Sequence, residues 1–549
     1  MTKILGVSPA HDSSICLMHD GEIKFFLKEE RFSRKKRDFC PIKSLSMILQ
    51  NEKELDFFVF TPPTRGSFGQ HIEDWSFYIN KFSNVKNIID VSDDHHLQHA
   101  SLAFYNSGFS EAAVLVVDGG GSTIGETQEL ESIFYASYPD NFTPVYKNYL
   151  KFQTIDRFIA PYNINEHPDC EITYNHIPGG IVNLYTTATI LIGQNHLENG
   201  KTMGLAAYGH ETDIPNFFID KTNKIKSEYF IDAYEWSGGG GFLYKDYYFY
   251  KTRNLSKDNY KIHANYAYSI QKQTEEAMEF LIKKAVEKTN SKNICISGGY
   301  ALNVVANSLF LKKFPGINFY FEPVADDSGN SIGSAYLQYR KITKDKTVVP
   351  LNHTFFHGFS YFVDKNIGIE FDEVSASHLL NDNKSLGLYY KLAEAGPRAL
   401  GHRSILYDAR NKDAKDIVNN IKKREWYRPF AAVCLEEDSH KYFYLYDNIG
   451  YEFMTINAEA NELAKIEIPG VLHVDGTCRI QIVKNKEEPL FKLLTEFKKL
   501  TGVGVLLNTS FNLAGEALVE TPEDAIKTLK NSELNCLWFP EIQRAIFNS

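Results

Sequence analysis

Short apolar runs separated by polar turns open the chain, and none is long enough for a helix. Residues 4–8, 14–18 and 22–28 read as three strands of a β-meander. Asp20-Gly21 supplies the tight hairpin between the last two. Further on the rhythm changes. Residues 112–117 are uniformly apolar and end in Asp118-Gly119-Gly120-Gly121-Ser122-Thr123, and residues 293–297 form a second buried run ending in Gly298-Gly299. Between such runs the period becomes helical, most clearly over 266–288, where Ile270, Ala277, Leu281 and Ala285 share one face. Strands that end in glycine loops and lead into helices predict an α/β sheet with a ligand at its strand ends.

The pattern breaks near residues 341–370, where charged residues, a Val-Val-Pro stop and an irregular Gly/Phe/His stretch predict an interdomain linker. Beyond it, residues 470–474 and 503–508 read as strands. No repeat of fixed period is visible. Ser237 and four following glycines, flanked by aromatics, read as a hairpin tip; a stacking wall for a ring acceptor is the alternative.

Composition narrows the class. At 549 residues the chain is too long for one ordinary core. Its 43% hydrophobic and 23% charged residues describe a globular protein, and a net charge of −10 opposes nucleic acid and anionic membranes. The seven cysteines include no Cys-x-x-Cys pair, as expected of a reducing cytosol. His11 and Asp12 interrupt the N-terminal apolar run, and no apolar stretch is long enough to span a bilayer. A cytoplasmic location is expected.

Three groups of residues carry candidate chemistry. In Asp93-Asp94-His95-His96-Leu97-Gln98-His99, Ser92 is the expected N-cap and Ser107-Gly108 the expected stop. His95 and His99 then project from one face and can share a metal. His96 and His99 can also meet, so the choice within the trio stays open. Asp118 and the pair Asp326-Asp327 are the candidate carboxylates, and one or two of them with two imidazoles suit iron, manganese or zinc. The second group is the glycine turns: Asp118 to Thr123, whose successive N–H groups can cradle an anion, and Ser297-Gly298-Gly299 with Asn303, which lets a ring or ribose approach. The third is cationic: Gly396-Pro397-Arg398 and Lys422-Lys423-Arg424 through Arg428, with the polar runs His473–Arg479 and Asn508–Asn512. So many cations in an acidic protein imply an anionic ligand; a solvated basic face is the ordinary alternative.

Together these segments resemble the O-carbamoyltransferases of the NodU/CmcH type. The resemblance spans nearly the whole chain and rests on nine motifs in order: His11–Ser14, Glu29–Phe32, His95–Ala100, Lys201–Gly209, Ser297–Asn303, Gly396–Ser404, Lys422–Phe430, His473–Arg479 and Asn508–Asn512. It implies an α/β protein with an N-terminal actin-like (ASKHA) domain over 1–350 and a C-terminal YrdC-like domain over 360–549. The second would form carbamoyl-adenylate from ATP and carbamoyl phosphate, releasing pyrophosphate and phosphate. The first would pass the carbamoyl group to a hydroxyl.

By the same resemblance His95, His99, Asp118 and Asp327 would hold Fe(II) or another divalent metal, with Mg2+ a further candidate, and His11 would be the general base. Arg398, Lys422, Arg424, Arg428 and Arg479, with His473, Asn508 and Ser510, would hold carbamoyl phosphate and nucleotide. Gly119, Gly120, Gly298, Gly299 and Asn303 would hold the adenylate. The implied partner is a small-molecule hydroxyl acceptor, a sugar or natural-product intermediate, with no nucleic acid and no membrane; the oligomeric state is open between monomer and homodimer. A tRNA threonylcarbamoyl-type or other carbamoyl-dependent maturation enzyme is the alternative. The sequence departs from the family pattern at Ala395, Ala517, Tyr300 and the three glycines after Asp118, which bears on substrate fit more than on chemistry.

Overall fold

Asp20 and Gly21 take φ angles of 46° and 83°, the left-handed pair that closes a tight hairpin, and the predicted meander forms around them. The structure is a computed structural model; it describes all residues except 67–68, 152–166, 176–178, 220–221, 227–254, 256–257, 352–354 and 549. The Ser237 glycine run lies outside the described residues. The chain divides into two units, Met1–Glu29 with Arg37–Asn352 and Glu30–Lys36 with His353–Ser549.

The first unit contains two sheets. One is built from β1 (Lys3–Ser8), β2 (Ser14–His19), β3 (Glu22–Lys28), β4 (Glu54–Phe60) and β5 (Asn84–Asp90) in the order β3-β2-β1-β4-β5. The meander is antiparallel, while β4 and β5 run parallel to β1. Helix α1 (His95–Ser107) follows β5. The other sheet contains β6 (Glu111–Val117), β7 (Thr127–Ser137), β8 (Asn141–Lys151) and β9 (Glu171–Asn175). After helix α2 (Tyr260–Thr289) come β10 (Asn293–Ser297) and β11 (Asn318–Phe321), and helix α3 (Asn330–Thr343) ends the unit's regular structure.

The second sheet has the order β9-β8-β7-β6-β10-β11, with β6, β7 and β8 antiparallel and β10 and β11 parallel to β6. Both sheets therefore follow one path: an antiparallel meander of three strands, two parallel strands beyond the first, then a helix. The repeat that the sequence lacks is present in topology. β1 and β6 occupy the same internal position, and Leu5, Val7, Val114, Leu115 and Val116 are fully buried. Strands covered on both faces read as continuous apolar runs, which is why these were legible.

The helix expected from Ser92 begins instead at His95, with Asp94 at the cap position. Ser92 folds back, its N–H and hydroxyl both bonding the Asp90 carboxylate, so Asp93 and Asp94 precede the helix. Gly108, at φ 78°, ends it as expected. The predicted helix over 266–288 extends at both ends.

The second unit centres on a ten-stranded sheet that includes β12 (Leu386–Tyr389), β13 (Arg403–Asp408), β14 (Ala431–Leu435), β15 (Thr477–Val483) and β16 (Val505–Ser510). Leu388, Leu406, Val433, Leu506 and Trp538 form its core with Leu493, Leu494 and Phe497 of the helix Pro489–Thr501. Residues 470–474 are not a strand: Pro469–Val471 makes a 3-10 turn. A Cβ on Gly470 would lie 2.3 Å from the Asn411 carbonyl oxygen, so the backbone is pressed against that loop and cannot join a ladder. Residues 30–36 also belong to this unit. Arg34 donates to the carbonyls of Leu518 at 2.6 Å and Ala517 at 2.9 Å.

Candidate active site

His95 and His99 are fully buried on the first turns of α1, and their Nε2 atoms face Asp118 and Asp327. From His95 the carboxylates lie at 3.4 and 3.6 Å, and from His99 at 4.0 and 3.6 Å. One donor atom from each of the four lies within 4.8 Å of the others. An ion about 2.1 Å from each of four tetrahedral donors would leave them roughly 3.4 Å apart. These separations are long for hydrogen bonds and right for donors around a common centre. The residues fit a divalent cation.

The electrostatics agree. Burial opposes ionisation of Asp118 and Asp327, yet both are held below the ordinary carboxylate range by the imidazoles beside them. Burial also opposes a charged His95, but the Asp118 bond and the Asp327 charge raise its pKa. The cluster thus stores two anionic carboxylates away from water. His96 is not part of it. Its Nδ1 meets the Ser132 hydroxyl at 2.7 Å, its Nε2 has no partner among the described residues, and burial drives its pKa down to about 3.

His11, in the loop after β1, places Nδ1 3.2 Å from Asp327. Burial works against its charged form, but the Asp327 carboxylate outweighs it and pushes the pKa up to about 10. A base must be neutral to accept a proton, so this imidazole is silenced while Asp327 keeps its full negative charge.

The glycine loops divide. Asp118 N, Gly121 N, Ser122 N and Thr123 N are all bonded within the protein, which narrows the expected phosphate cradle to Gly119 and Gly120. Gly121 is required for space, since a Cβ there would lie 2.6 Å from the His96 ring. Gly298 has φ 82°, and a Cβ on it would meet the Val117 carbonyl at 2.5 Å. Gly299 N donates to Asp118 Oδ1 at 2.8 Å, tying this loop to the metal-type cluster. The Asn303 carboxamide is already engaged: Oδ1 accepts from Ala306 N and Gln271, and Nδ2 donates to Gln271. Tyr300 is buried with its hydroxyl 3.2 Å from Thr274.

In the second unit the predicted cations converge. Arg398, Arg424 and Lys422 are each driven well below their ordinary pKa, first by burial and then by neighbouring cations: Arg428 and Arg479 for the two arginines, Arg424 and Arg428 for Lys422. Burial brings Arg479 to about 10. Two of the five also serve as struts. Lys422 Nζ donates to the carbonyls of Ser510 and Asn512, and Arg424 donates to Asn419 at 2.6 Å and Pro429 O at 2.9 Å. Asn508 donates to Ala399 O, and the Ser510 hydroxyl to Asn512. His473 lies instead beside Asp475 and Lys415, and burial lowers its pKa.

Two contributors were not singled out from the sequence. Glu394 accepts from the N–H groups of Leu400, His402 and Arg403 at 2.7, 2.9 and 3.1 Å, folding the Arg398 loop. Its position two residues before Gly396 and four before Arg398 was the available signal. Lys36, far away in sequence, adds to the charge felt by Lys422. Nothing local marks it.

The family description Carbamoyltransferase N-terminus matches residues 76–336, and Carbamoyltransferase C-terminus matches 377–544. The chain belongs to the carbamoyltransferase family. The first match contains the His95, His99, Asp118 and Asp327 cluster, and the second the five-cation cluster. The protein is a transferase enzyme. An uncharacterized protein of Synechocystis is 28% identical, covering 98% of this carbamoyltransferase and 95% of its own length. Nodulation protein NolNO of Sinorhizobium fredii is 28% identical over 81% of the chain and 62% of its own. Nodulation protein U of Azorhizobium caulinodans reaches 33% over 47% of the chain and 46% of its own.

Among solved structures, full-length HypF in a phosphate- and nucleotide-bound form aligns at 12% identity and a TM-score of 0.39, covering 62% of this chain and 56% of that one. Among the described residues, no helix is long and apolar enough to cross a membrane.

Proposed function

We propose that this carbamoyltransferase is an ATP-dependent O-carbamoyltransferase that works in two steps, one in each unit. The second unit forms carbamoyl-adenylate from carbamoyl phosphate and ATP, with release of pyrophosphate and phosphate. The first unit transfers the carbamoyl group from the adenylate to a hydroxyl of a small-molecule acceptor, a sugar or natural-product alcohol. The duplicated sheet path supports an actin-like reading of the first unit, and the cation-rich sheet of the second supports a YrdC-like one.

The observation that carries the reading is the pair of clusters with opposite charge. Arg398, Arg424, Arg428, Arg479 and Lys422 repel one another until an anion joins them, so this site is built for phosphate groups. Arg398 and Arg428 would grip phosphate oxygens, while Lys422 and Arg424 hold the loops that present them. In the first unit, His95, His99, Asp118 and Asp327 would hold the metal, which on binding supplies charge to polarise the carbamoyl oxygen or neutralise the leaving phosphate. Fe(II) is the leading candidate.

His11 is placed to take the acceptor's proton. The acceptor oxygen bonds to the carbamoyl carbon, the bond from that carbon to the AMP oxygen breaks, and AMP leaves as the anion. Asp327 sets whether His11 can act: with its full charge it keeps the imidazole protonated, and a cation held by Asp327 would weaken that hold. Gly298 and Gly299 let the adenylate approach the loop that Asp118 anchors.

The test is incubation with ATP, carbamoyl phosphate and Fe(II), followed by mass spectrometry of an acceptor panel. A gain of one carbamoyl group, with pyrophosphate released in step, supports the reading. ATP turnover that does not depend on carbamoyl phosphate would sink it.

A further inference from the structure

The topological repeat of the first unit extends to its site. In each half the loop after the first strand and the helix after the fifth reach the cluster. The first half contributes His11 and the helix that opens on His95; the second contributes Asp118 and the helix that opens on Asn330. Asn330 is therefore the counterpart of His95. Three residues later the helices touch: a Cβ on Gly333 would lie 2.1 Å from the Gln98 carbonyl oxygen, and Ser101 donates to Gly333 O at 2.9 Å. This close crossing slides the Asn330 carboxamide between the two imidazoles. Its Nδ2 lies 3.4 Å from His95 Nδ1 and 3.2 Å from His99 Nε2. Asn330 is fully buried, and its Oδ1 has no partner among the described residues.

We propose that Asn330 is a positioning residue of the metal centre, the group that sets which nitrogen of His95 faces the ion. The inference rests on the metal reading given above. An imidazole binds a cation through one lone pair, and the other ring nitrogen then carries hydrogen and needs an acceptor. In His95 the nitrogen toward Asp118 and Asp327 is Nε2, and the nitrogen toward Asn330 is Nδ1. Donation from Nδ2 to His99 Nε2 occupies the lone pair an ion would take. A half-turn of the carboxamide, which leaves its outline unchanged, withdraws that donor. It also brings Oδ1 to the Nδ1–H of His95, freeing Nε2. One side chain thus engages a nitrogen of each ring without the ion and orients His95 with it. Leucine has the shape but neither function; aspartate keeps the acceptor; serine is too short to reach.

Chelator-stripped full-length protein is titrated with Co(II) under calorimetry and visible absorption, which needs no turnover. The parent protein binds one ion and His99→Ala loses it; an unbound parent would overturn both this inference and the metal reading. Asn330→Leu weakens binding about 10–100-fold and alters the Co(II) spectrum, the range usual for an outer-shell partner. Asn330→Asp binds as tightly as the parent or tighter. Equal affinity for the parent and Asn330→Leu, or equal loss in Asn330→Leu and Asn330→Asp, overturns the inference and leaves the metal reading standing. Circular dichroism checks that each variant folds. If Asn330→Leu does not, Asn330→Ser takes its place, with the same loss expected and parent-like binding the overturning result.

Discussion

The two units of the enzyme bury ionisable groups of opposite character, carboxylates answered by imidazoles in the first and clustered cations in the second. In the first, Asp118 and Asp327 share a pocket with His95 and His99. In the second, burial and neighbouring cations depress Arg398, Lys422 and Arg424, and Arg428 weighs on Arg479 as well. Folding alone would select against both arrangements, because like charges out of water repel strongly. The contrast matches the two ligands of the proposed function, a cation in one unit and phosphate oxygens in the other. It also shows that the chemistry of the two sites can be separated by mutation.

The sharpest break is His99→Ala. It removes a donor outright, so carbamoyl transfer should fall by more than the roughly 10–100-fold typical of losing an outer-shell partner. Pyrophosphate release in the presence of ATP and carbamoyl phosphate should continue. Equal loss of both in a folded variant would erase the division of labour. Arg398→Ala is the mirror experiment, expected to cut pyrophosphate release about 100-fold, as for loss of a charge-stabilising donor, while Co(II) affinity holds. Normal pyrophosphate release would remove Arg398 from the phosphate site.

Lys36→Met sharpens the comparison without breaking it. This lysine is exposed, so its part in the cationic field is worth at most about 1 kcal/mol, a rise of about fivefold or less in KM for carbamoyl phosphate. The rise should shrink as salt increases, and a salt-independent change would point to altered folding of residues 30–36.

Lys36 also marks the limit of what the sequence could tell. His95 and His99 were legible because helical spacing places i and i+4 on one face. Asp118 was legible as the polar residue ending an apolar run, and the pair Asp326-Asp327 as carboxylates ahead of a helix start, with Asp327 singled out by the family resemblance. The position of residues 30–36 was not, because Arg31, Arg34 and Lys36 reach partners that are hundreds of residues distant in the chain, such as Leu518 and Asp524. The topological repeat was hidden for a related reason: its halves share strand order but not length or residue pattern. Residues 470–474 misled because a Pro-Gly turn between apolar residues looks like a strand until packing against Asn411 is known.

The smallest effect on turnover should come from Lys147→Met, which tests the charge comparison from the opposite side. Here the first unit does balance a buried charge internally. Glu129 is pushed up by burial but held down at about 2 by the Lys147 ammonium, with which it pairs. The same carboxylate accepts from Ser122 N at 3.2 Å, steadying the loop that follows Asp118. A carboxylate with a lowered folded-state pKa stabilises the protein above its ordinary value of 4.5, and that stability is lost as pH falls toward 2. Removing one partner of a buried pair costs about 3–5 kcal/mol. The variant should therefore unfold at lower urea concentration at pH 7, and the gap to the parent should narrow at pH 3, where its unpaired Glu129 takes up a proton. Pyrophosphate release, carried by the other unit, should change little. A stability gap that stays constant across this pH range would show that Lys147 acts through something other than its pairing with Glu129, such as packing of its stem or its ammonium over the Phe134 ring.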